Sequence, residues 1–232
     1  MTQWSVISNA RTTEDLQATR EGLQLLAMAY WKPLYLYLRK SSESHADASD
    51  SVQGFFEHVI GSEFLKYIDR EGGKFRSYLL KSLERWRSQE WRRAHAQKRG
   101  GGVTHLSREG IDELNALDDL KSDVSPETLF DRQWALEIVD RAVAELGTDY
   151  AKRGRETWFE ALRPALPGGT GLDASASVAK ELQVSDGAVR KAIHDLRQAF
   201  TARLKEEIRS TVRTSEDAEE ELRYLVEVLA QR

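Results

Sequence analysis

The segment from Ser175 to Arg197 constrains the fold most, because its apolar residues repeat as they do in two helices joined by a tight turn. The first helix is short and has one apolar face, formed by Val178, Ala179 and Leu182. Gln183 and Val184 occupy the turn, and Ser185 is the expected N-cap of the second helix. The second helix has an apolar stripe at spacings of four, three and four, formed by Val189, Ile193, Leu196 and Phe200. This pattern is typical of a helix-turn-helix.

The outer face of the second helix is basic and polar, and consists of Arg190, Lys191, His194, Arg197 and Gln198. A helix of this kind buries one face and offers the other to the major groove of DNA. An ordinary pair of helices with a solvated basic face has the same pattern, so that alternative stays open. For His194 the alternative to a DNA contact is a solvated surface histidine.

The whole chain is expected to be all-α, with two helical domains joined by an acidic linker. Only four of its 232 residues are proline, and a chain of this length can hold two small domains. The expected domains are 1–100, a linker over 101–125, a helix-turn-helix domain over 126–210 and a C-terminal amphipathic helix over 211–232. Apolar spacing predicts helices over 14–39 (with a kink or break at Pro33), 47–60, 75–96, 126–146 (capped by Ser125) and 153–162.

Charge is segregated along the chain, although the net charge is only −4. Residues 74–99 contain nine basic residues against two acidic ones, a local charge of +7. Residues 109–131 contain eight acidic residues against Lys121. A protein that contacts phosphate needs a local cationic patch and not a global excess, so the basic segment is the candidate nucleic-acid surface.

Several classes of protein are disfavoured by the composition. The absence of cysteine excludes disulfides and thiolate metal sites. The five histidines lack the spacing of a metal site or a catalytic triad, and the glycine runs lack the lysine of a P-loop. We therefore expect a protein that is not an enzyme, with no catalytic residues, no metal and no cofactor. The first ten residues lack the features of a signal peptide, and no stretch has a membrane-spanning length of apolar residues, so we expect a cytoplasmic protein without membrane contacts.

Four motifs occur in a fixed order over about residues 14–100 and 126–207. They are 30–39 (YWKPLYLYLR), 47–56 (DASDSVQGFF), the pair 73–80 (GKFRSYLL) and 91–94 (WRRA), and the helix-turn-helix over 178–197. Together they resemble a bacterial RNA polymerase sigma factor of the sigma-70 family, of the extracytoplasmic-function (ECF) type and planctomycete-like. The motifs resemble, in order, the family's first conserved helix, its polymerase-docking helix, its promoter-melting and −10-reading regions, and its −35-reading helix-turn-helix.

The resemblance implies a protein that binds RNA polymerase core, reads the −35 duplex and captures unstacked bases of the −10 element. Capture of single-stranded DNA requires cations and aromatic platforms together. The DNA-contact candidates are Lys74, Arg76, Arg85, Gln89, Arg92 and Arg93 in the basic segment, and Arg190, Lys191, His194 and Arg197 in the helix-turn-helix. Phe75 and Trp86 lie on the apolar stripe and are expected in the core, whereas Trp91 lies off it. The polymerase-contact candidates are Asp47, Asp50 and Gln53, with Phe56 packed beneath them.

Two departures from the family pattern affect the docking helix. Ser51 stands where the family usually has leucine, and Gly54 stands where it usually has an acid. Glycine in a helix interior costs about 1 kcal/mol relative to alanine, so we expect weaker or altered docking. Arg85 and Gln89 stand where many members have Asn and Asp, and the promoter sequence is therefore not implied.

Two other functions stay open. One is an autonomous helix-turn-helix regulator that binds duplex DNA as a dimer, and the other is a degenerate sigma-like adaptor that binds polymerase or a regulator without DNA. An anti-sigma protein or another regulator is a further partner that the resemblance allows.

The C-terminal segment 215–229 predicts an amphipathic helix with Ser215 as its cap and an apolar stripe of Leu222, Leu225, Val226 and Leu229. The helix either packs on the second domain or docks on the basic segment, where its acids shield DNA-binding residues. In the second case, truncation after Arg213 leaves a folded protein that binds promoter DNA more tightly.

Overall fold

Every regular element in the described part of the chain is a helix, which confirms the predicted all-α fold. The structure is a computed structural model that describes residues 16–41, 43–61, 74–96, 123–167, 169, 175–212 and 214–230. The helices are α1 (Leu16–Lys40), α2 (His45–Gly61), α3 (Phe75–Ala96), α4 (Pro126–Lys152), α5 (Glu156–Leu162) with a short 3-10 helix (Arg163–Ala165), α6 (Ser175–Glu181), α7 (Asp186–Thr211) and α8 (Ser215–Ala230).

The chain forms two compact units, residues 1–135 with 209–232 and residues 136–208. Among the described residues, the first unit takes in α1 to α3, α4 up to Ala135, the last residues of α7, and α8. The second unit holds the rest of α4, α5, α6 and most of α7. The predicted domain boundaries group the residues differently from these two units and stay predictions. Most of the predicted linker, 101–125, lies outside the described residues.

The core of the first unit is built from its first three helices, of which α1 is buried on all sides over residues 33–38. Fully or almost fully buried side chains include Leu26, Tyr30, Leu34 and Leu38 of α1, Val52, Phe55 and Val59 of α2, and Phe75, Leu79 and Leu83 of α3. The helix does not break at Pro33, because α1 runs through this buried residue to Lys40, and the alternative of a kink stays a prediction. Burial of the side chains on both sides of Pro33 outweighs the loss of one backbone hydrogen bond.

Helix α2 begins with Ser44 as its N-cap and packs closely on α3. The Ser44 Oγ accepts a hydrogen bond from the Asp47 backbone N–H (3.1 Å) and donates one to the Asp47 Oδ2 (2.6 Å). A Cβ added at Gly54 would lie 3.1 Å from Cη2 of Trp86, whose ring also contacts Phe55 at 6.0 Å between centroids. Glycine at position 54 therefore makes room for the Trp86 ring. Phe75 is buried as predicted, whereas Trp86 is only half-buried.

Helix α4 is six residues longer than predicted, since it passes Gly147 and ends at Lys152. Its cap is confirmed, because the Thr128 N–H donates to the Ser125 Oγ at 3.2 Å. A Cβ added at Gly147 would lie 3.0 Å from the Phe159 ring, so this glycine serves packing and does not end the helix. The chain leaves the helix at Gly154 (φ +65°), two residues after Lys152. There the Arg155 N–H donates to the Tyr150 carbonyl and the Gly154 N–H donates to the Ala151 carbonyl.

The predicted helix-turn-helix pattern is confirmed as α6, a turn and α7 in the second unit. Gln183 has φ +55°, and the Val184 N–H donates to the Ala179 carbonyl at 2.9 Å, so the turn ends α6 in the same way as Gly154 ends α4. The Ser185 Oγ accepts from the Ala188 N–H at 3.2 Å, as predicted for the N-cap. The Ser175 Oγ also donates to the Asp186 Oδ1 and ties the two helices together.

Helix α8 is present, but its cap and buried face differ from the prediction. The Asp217 N–H donates to the Thr214 Oγ1 at 3.0 Å, so Thr214 and not Ser215 is the observed cap. The buried positions are Ala218, Glu221, Leu225 and Val228. Val226, predicted on the apolar stripe, is exposed. The buried face of α8 is therefore rotated relative to the predicted apolar stripe, and it includes the carboxylate of Glu221.

Candidate nucleic-acid interface

The outer face of α3 is cationic and solvent-exposed. Arg85, Gln89 and Arg92 recur at spacings of four and three and are all exposed, and Arg93 beside them is exposed too. Arg93 Nη1 donates to Glu90 Oε1 at 2.8 Å, a surface pair that contributes at most about 1 kcal/mol. These four predicted candidates are therefore all exposed on one helix, with Arg85 and Arg92 on the side away from its buried leucines.

Trp91 adds an exposed aromatic ring on a neighbouring side of α3, which it shares with Arg92. Its side chain is 63% exposed, and it lines an open cavity of about 500 Å³ whose other residues are Tyr37, Glu84, Arg87, Ser88 and Arg92. The Tyr37 hydroxyl donates to Glu84 Oε1 at 2.5 Å, and Arg87 forms an ion pair with Glu43. Burial raises the pKa of Tyr37, and the hydrogen bond to Glu84 and the charge of Glu84 raise it further. Burial also raises the pKa of Glu43, and the charge of Arg87 offsets part of this increase.

Arg76 occupies a different environment from the other predicted DNA contacts. Its side chain belongs to a group that we name the Arg76 cluster, which consists of Lys74, Arg76, Asp131, Trp134, Glu220, Glu221 and Tyr224. Arg76 is only 6% exposed, its Nε donates to Glu221 Oε1 at 2.5 Å, and its Nη1 pairs with Asp131. The guanidinium carbon lies 4.8 Å from the Trp134 ring centroid and 4.3 Å from that of Tyr224.

This arrangement corrects the expectation that Arg76 is presented to DNA. Two carboxylates and two aromatic faces enclose the guanidinium, so Arg76 has no surface for a phosphate while the cluster is intact. Burial lowers the pKa of Lys74, but hydrogen bonds to Glu220 and Glu221 outweigh it and raise the pKa overall. Burial and the 2.5 Å hydrogen bond to Asp131 raise the pKa of Tyr224 to about 12.

The outer face of α7 carries its cations in pairs with acids one turn away. Arg190 pairs with Asp186 at 2.6 Å, and Lys191 with Asp195 at 2.9 Å. The His194 Nε2 lies 2.9 Å from Gln198 Nε2. Exposed pairs of this type contribute about 0.2–1 kcal/mol, so phosphate can compete for both cations.

Arg197 differs from the other cations of α7. Its Nε donates to the Ala165 carbonyl at 3.1 Å, at the end of the 3-10 helix. In the structure this arginine satisfies a backbone acceptor within its own unit, a role that the sequence pattern did not suggest.

The predicted polymerase contacts lie along α2. Asp47 lies in the first turn and accepts a hydrogen bond from the Ser44 hydroxyl, and Asp50 is exposed one turn later. The Gln53 Nε2 donates to Glu57 Oε1 at 3.0 Å. Phe56 is buried and stacks on Trp31 with ring centroids 6.1 Å apart and an interplanar angle of 13°, so it packs beneath the polar residues as expected.

The second unit also contains an open cavity of about 760 Å³ that the sequence did not indicate. Its lining residues include Tyr150, Arg153, Arg155, Trp158 and Arg203. Burial raises the pKa of Tyr150, and the positive charges of Arg155 and Arg153 offset part of this increase. The lining also contains three acids, Asp149, Asp195 and Glu206, which balance its three arginines, and Arg203 pairs with Asp149 at 2.6 Å.

Within the described ranges, no three His, Asp or Glu side chains gather in a group that could hold a metal ion. None of the helices in the described part of the chain combines the length and apolar character needed to cross a membrane.

Comparison of the chain with protein-family models, with curated proteins and with solved structures found no match in any of the three.

Proposed function

We propose that this chain is a sigma factor, which directs RNA polymerase core to promoters, reads duplex DNA with α7 and captures melted DNA with α3. The observation that carries the proposal is the exposed surface of α3, which presents Arg85, Gln89 and Arg92 and, in the cavity that Arg92 also lines, the exposed ring of Trp91. A helix-turn-helix by itself fits any duplex-binding regulator. A separate helix with exposed cations and an exposed aromatic ring favours a protein that also handles single strands.

The chemistry of α3 fits single-stranded DNA. Arginine side chains neutralise phosphates, and an exposed indole provides a face on which a base stacks for about 1–3 kcal/mol. Trp91 and Arg92 both line the open cavity on α3, so a base and its phosphate can be held by adjacent residues.

The chemistry of α7 fits duplex DNA. Its first turns carry Arg190 and Lys191, and residues at the beginning of a recognition helix reach base edges and phosphates in the major groove. The turn before α7 holds Gln183 in a left-handed conformation, and Ser185 caps the helix, so the position of this first turn is defined by hydrogen bonds.

Run-off transcription with purified core polymerase and genomic DNA fragments tests the proposal. We expect the chain to copurify with core polymerase and to produce specific transcripts. Binding of duplex DNA by the chain alone, with no effect of added polymerase, would instead indicate an autonomous regulator. Polymerase binding without transcription would indicate an adaptor.

The role of α3 is tested by replacing Arg92 and Arg93 with alanine. Removing two cations that bind the phosphates of a single strand is expected to lower open-complex formation and to reduce the slope of log K against log salt by about 1.4, so that the loss of affinity relative to wild type is largest at low salt. The matched control is Lys205→Ala with Arg209→Ala, which removes two exposed charges from α7. Equal salt dependence in the two variants contradicts the assignment of α3.

The role of α2 is tested by Asp50→Ala with Gln53→Ala. We expect weaker binding to core polymerase with unchanged helicity, because both positions lie in the exposed or half-buried part of the helix. Glu160→Ala, which removes an exposed acid from α5, is the control. If the α2 variant binds core polymerase as tightly as wild type does, the assignment of α2 as the polymerase-docking helix is wrong.

A further inference from the structure

The C-terminal helix α8 places two acids on the cations at the beginning of α3. The Lys74 Nζ lies 3.0 Å from Glu220 Oε1 and 3.2 Å from Glu221 Oε2. Arg76 pairs with Glu221 at 2.5 Å. The residues of these pairs are about 145 positions apart in the sequence, so only the folded chain brings them together.

The contact is specific, because one of its acids is fully buried. Glu221 is 1% exposed, and an unpaired carboxylate in such a place is strongly destabilising. The carboxylate of Glu221 can therefore be buried only where cations form ion pairs with it. Lys74 and Arg76 satisfy that requirement, and Trp134 and Tyr224 cover the faces of the guanidinium.

The contact also reverses the local charge. With α8 in place, Lys74 and Arg76 face three carboxylates, from Asp131, Glu220 and Glu221. The cluster then carries a net charge of −1 and repels a phosphate. Without α8 the same two cations face only Asp131, and the net charge of the site is +1.

We propose that α8 is an intramolecular competitor of the nucleic-acid phosphate for Lys74 and Arg76, so that the chain binds single-stranded DNA weakly until α8 is displaced. The inference rests on the proposed function, since it concerns the DNA-binding segment of that proposal. Displacement begins at the pair between Lys74 and Glu220. Their side chains are 25% and 62% exposed, and an exposed pair is screened by salt and exchanges easily.

The test measures binding of a fluorescein-labelled single-stranded deoxyoligonucleotide to the full chain by fluorescence anisotropy across a salt series. The variants are Glu220→Gln alone and Glu220→Gln with Glu221→Gln. The matched control is Glu216→Gln with Glu219→Gln, which neutralises two exposed acids of α8 outside the Arg76 cluster. The control makes the same change in net charge as the double variant, and its general electrostatic effect is subtracted.

We expect Glu220→Gln to raise the affinity for the oligonucleotide about fivefold over wild type, because it removes one of the two carboxylates that pair with Lys74. The slope of log K against log salt is expected to become steeper by about 0.7 for each additional phosphate that the protein neutralises. The double variant should show both effects more strongly than its control. Circular dichroism of each variant checks that it is folded, and if the double variant is unfolded, the exposed Glu220→Gln substitution decides the question alone.

Affinities and slopes that equal those of wild type and control, in a protein that supports run-off transcription, overturn the inference and leave the proposed function standing. Absence of both transcription and single-strand binding in all variants overturns the proposed function, and the inference with it.

Discussion

The ion pair between Arg76 and Glu221 offers a direct measurement of what holds α8 in place. Replacing Arg76 with methionine keeps an unbranched stem of similar shape. It removes the positive charge that pairs with both Asp131 and Glu221. Glu221 is then left with Lys74, 3.2 Å away, and Asp131 with the hydroxyl of Tyr224. Removing one partner of a buried pair costs about 3–5 kcal/mol, and the remaining lysine places the expected loss near the lower end.

Replacing Glu221 with methionine is expected to cost less. The guanidinium of Arg76 keeps its pair with Asp131 and its contacts with the rings of Trp134 and Tyr224. We therefore expect a loss of about 2 kcal/mol. The double variant has neither buried charge of the pair, and its two methionines pack against the rings, so its loss should be only about 1–2 kcal/mol. The coupling energy between the two positions is then roughly 3 kcal/mol.

Urea unfolding followed by far-ultraviolet circular dichroism gives the four free energies of unfolding. The matched control is the same cycle on Lys191 and Asp195, an exposed pair of similar length (2.9 Å), for which we expect a coupling energy below about 1 kcal/mol. A coupling energy in the Arg76 cluster no larger than that of the surface pair would refute the reasoning, and with it the view that α8 is held by charge.

Three positions elsewhere in the chain allow further tests. Gly54→Val should lower the free energy of unfolding by about 1–3 kcal/mol, because its Cβ branches in a space where one added carbon is already 3.1 Å from Trp86; an unchanged thermal midpoint contradicts this. Gln183→Gly should raise the free energy of unfolding by up to about 1 kcal/mol, since relief of the left-handed strain exceeds the added chain entropy; a lower midpoint in urea contradicts this. The pKa of Tyr224 is raised to about 12, so the folded state resists ionisation. Its contribution to stability is complete below the unfolded pKa of about 10 and is lost as the pH rises through 12, and Tyr224→Phe should flatten the alkaline decline.

Much of the secondary structure could be predicted because its signals are local. The bounds of α3 agree with the apolar spacing, and Ser125 and Ser185 cap the helices that follow them. A cap is a bond between residues three apart, and an apolar stripe repeats every three or four residues. Both kinds of signal are therefore complete within a short stretch of chain.

Local signals failed where a distant side chain supplied the deciding contact. Gly147 looks like the end of a helix, but the Phe159 ring occupies the space beside it and α4 continues. Gly54 looks like a weak point in α2, but the Trp86 ring lies against it from α3. In both cases the glycine is explained by the ring that packs on it and not by its helix propensity.

The sequence by itself determined the all-α fold, the helix-turn-helix pattern and the concentration of positive charge between residues 74 and 99. Only the tertiary structure decided which of those charges face solvent. Arg92 and Arg76 are both arginines of one basic segment, yet Arg92 is exposed and Arg76 is enclosed by Glu221 and Asp131. The number of cations is a property of composition, but their availability to phosphate depends on carboxylates that approach from distant parts of the chain. The free energy of burying a charge depends on those partners, and it is settled only when the core is formed.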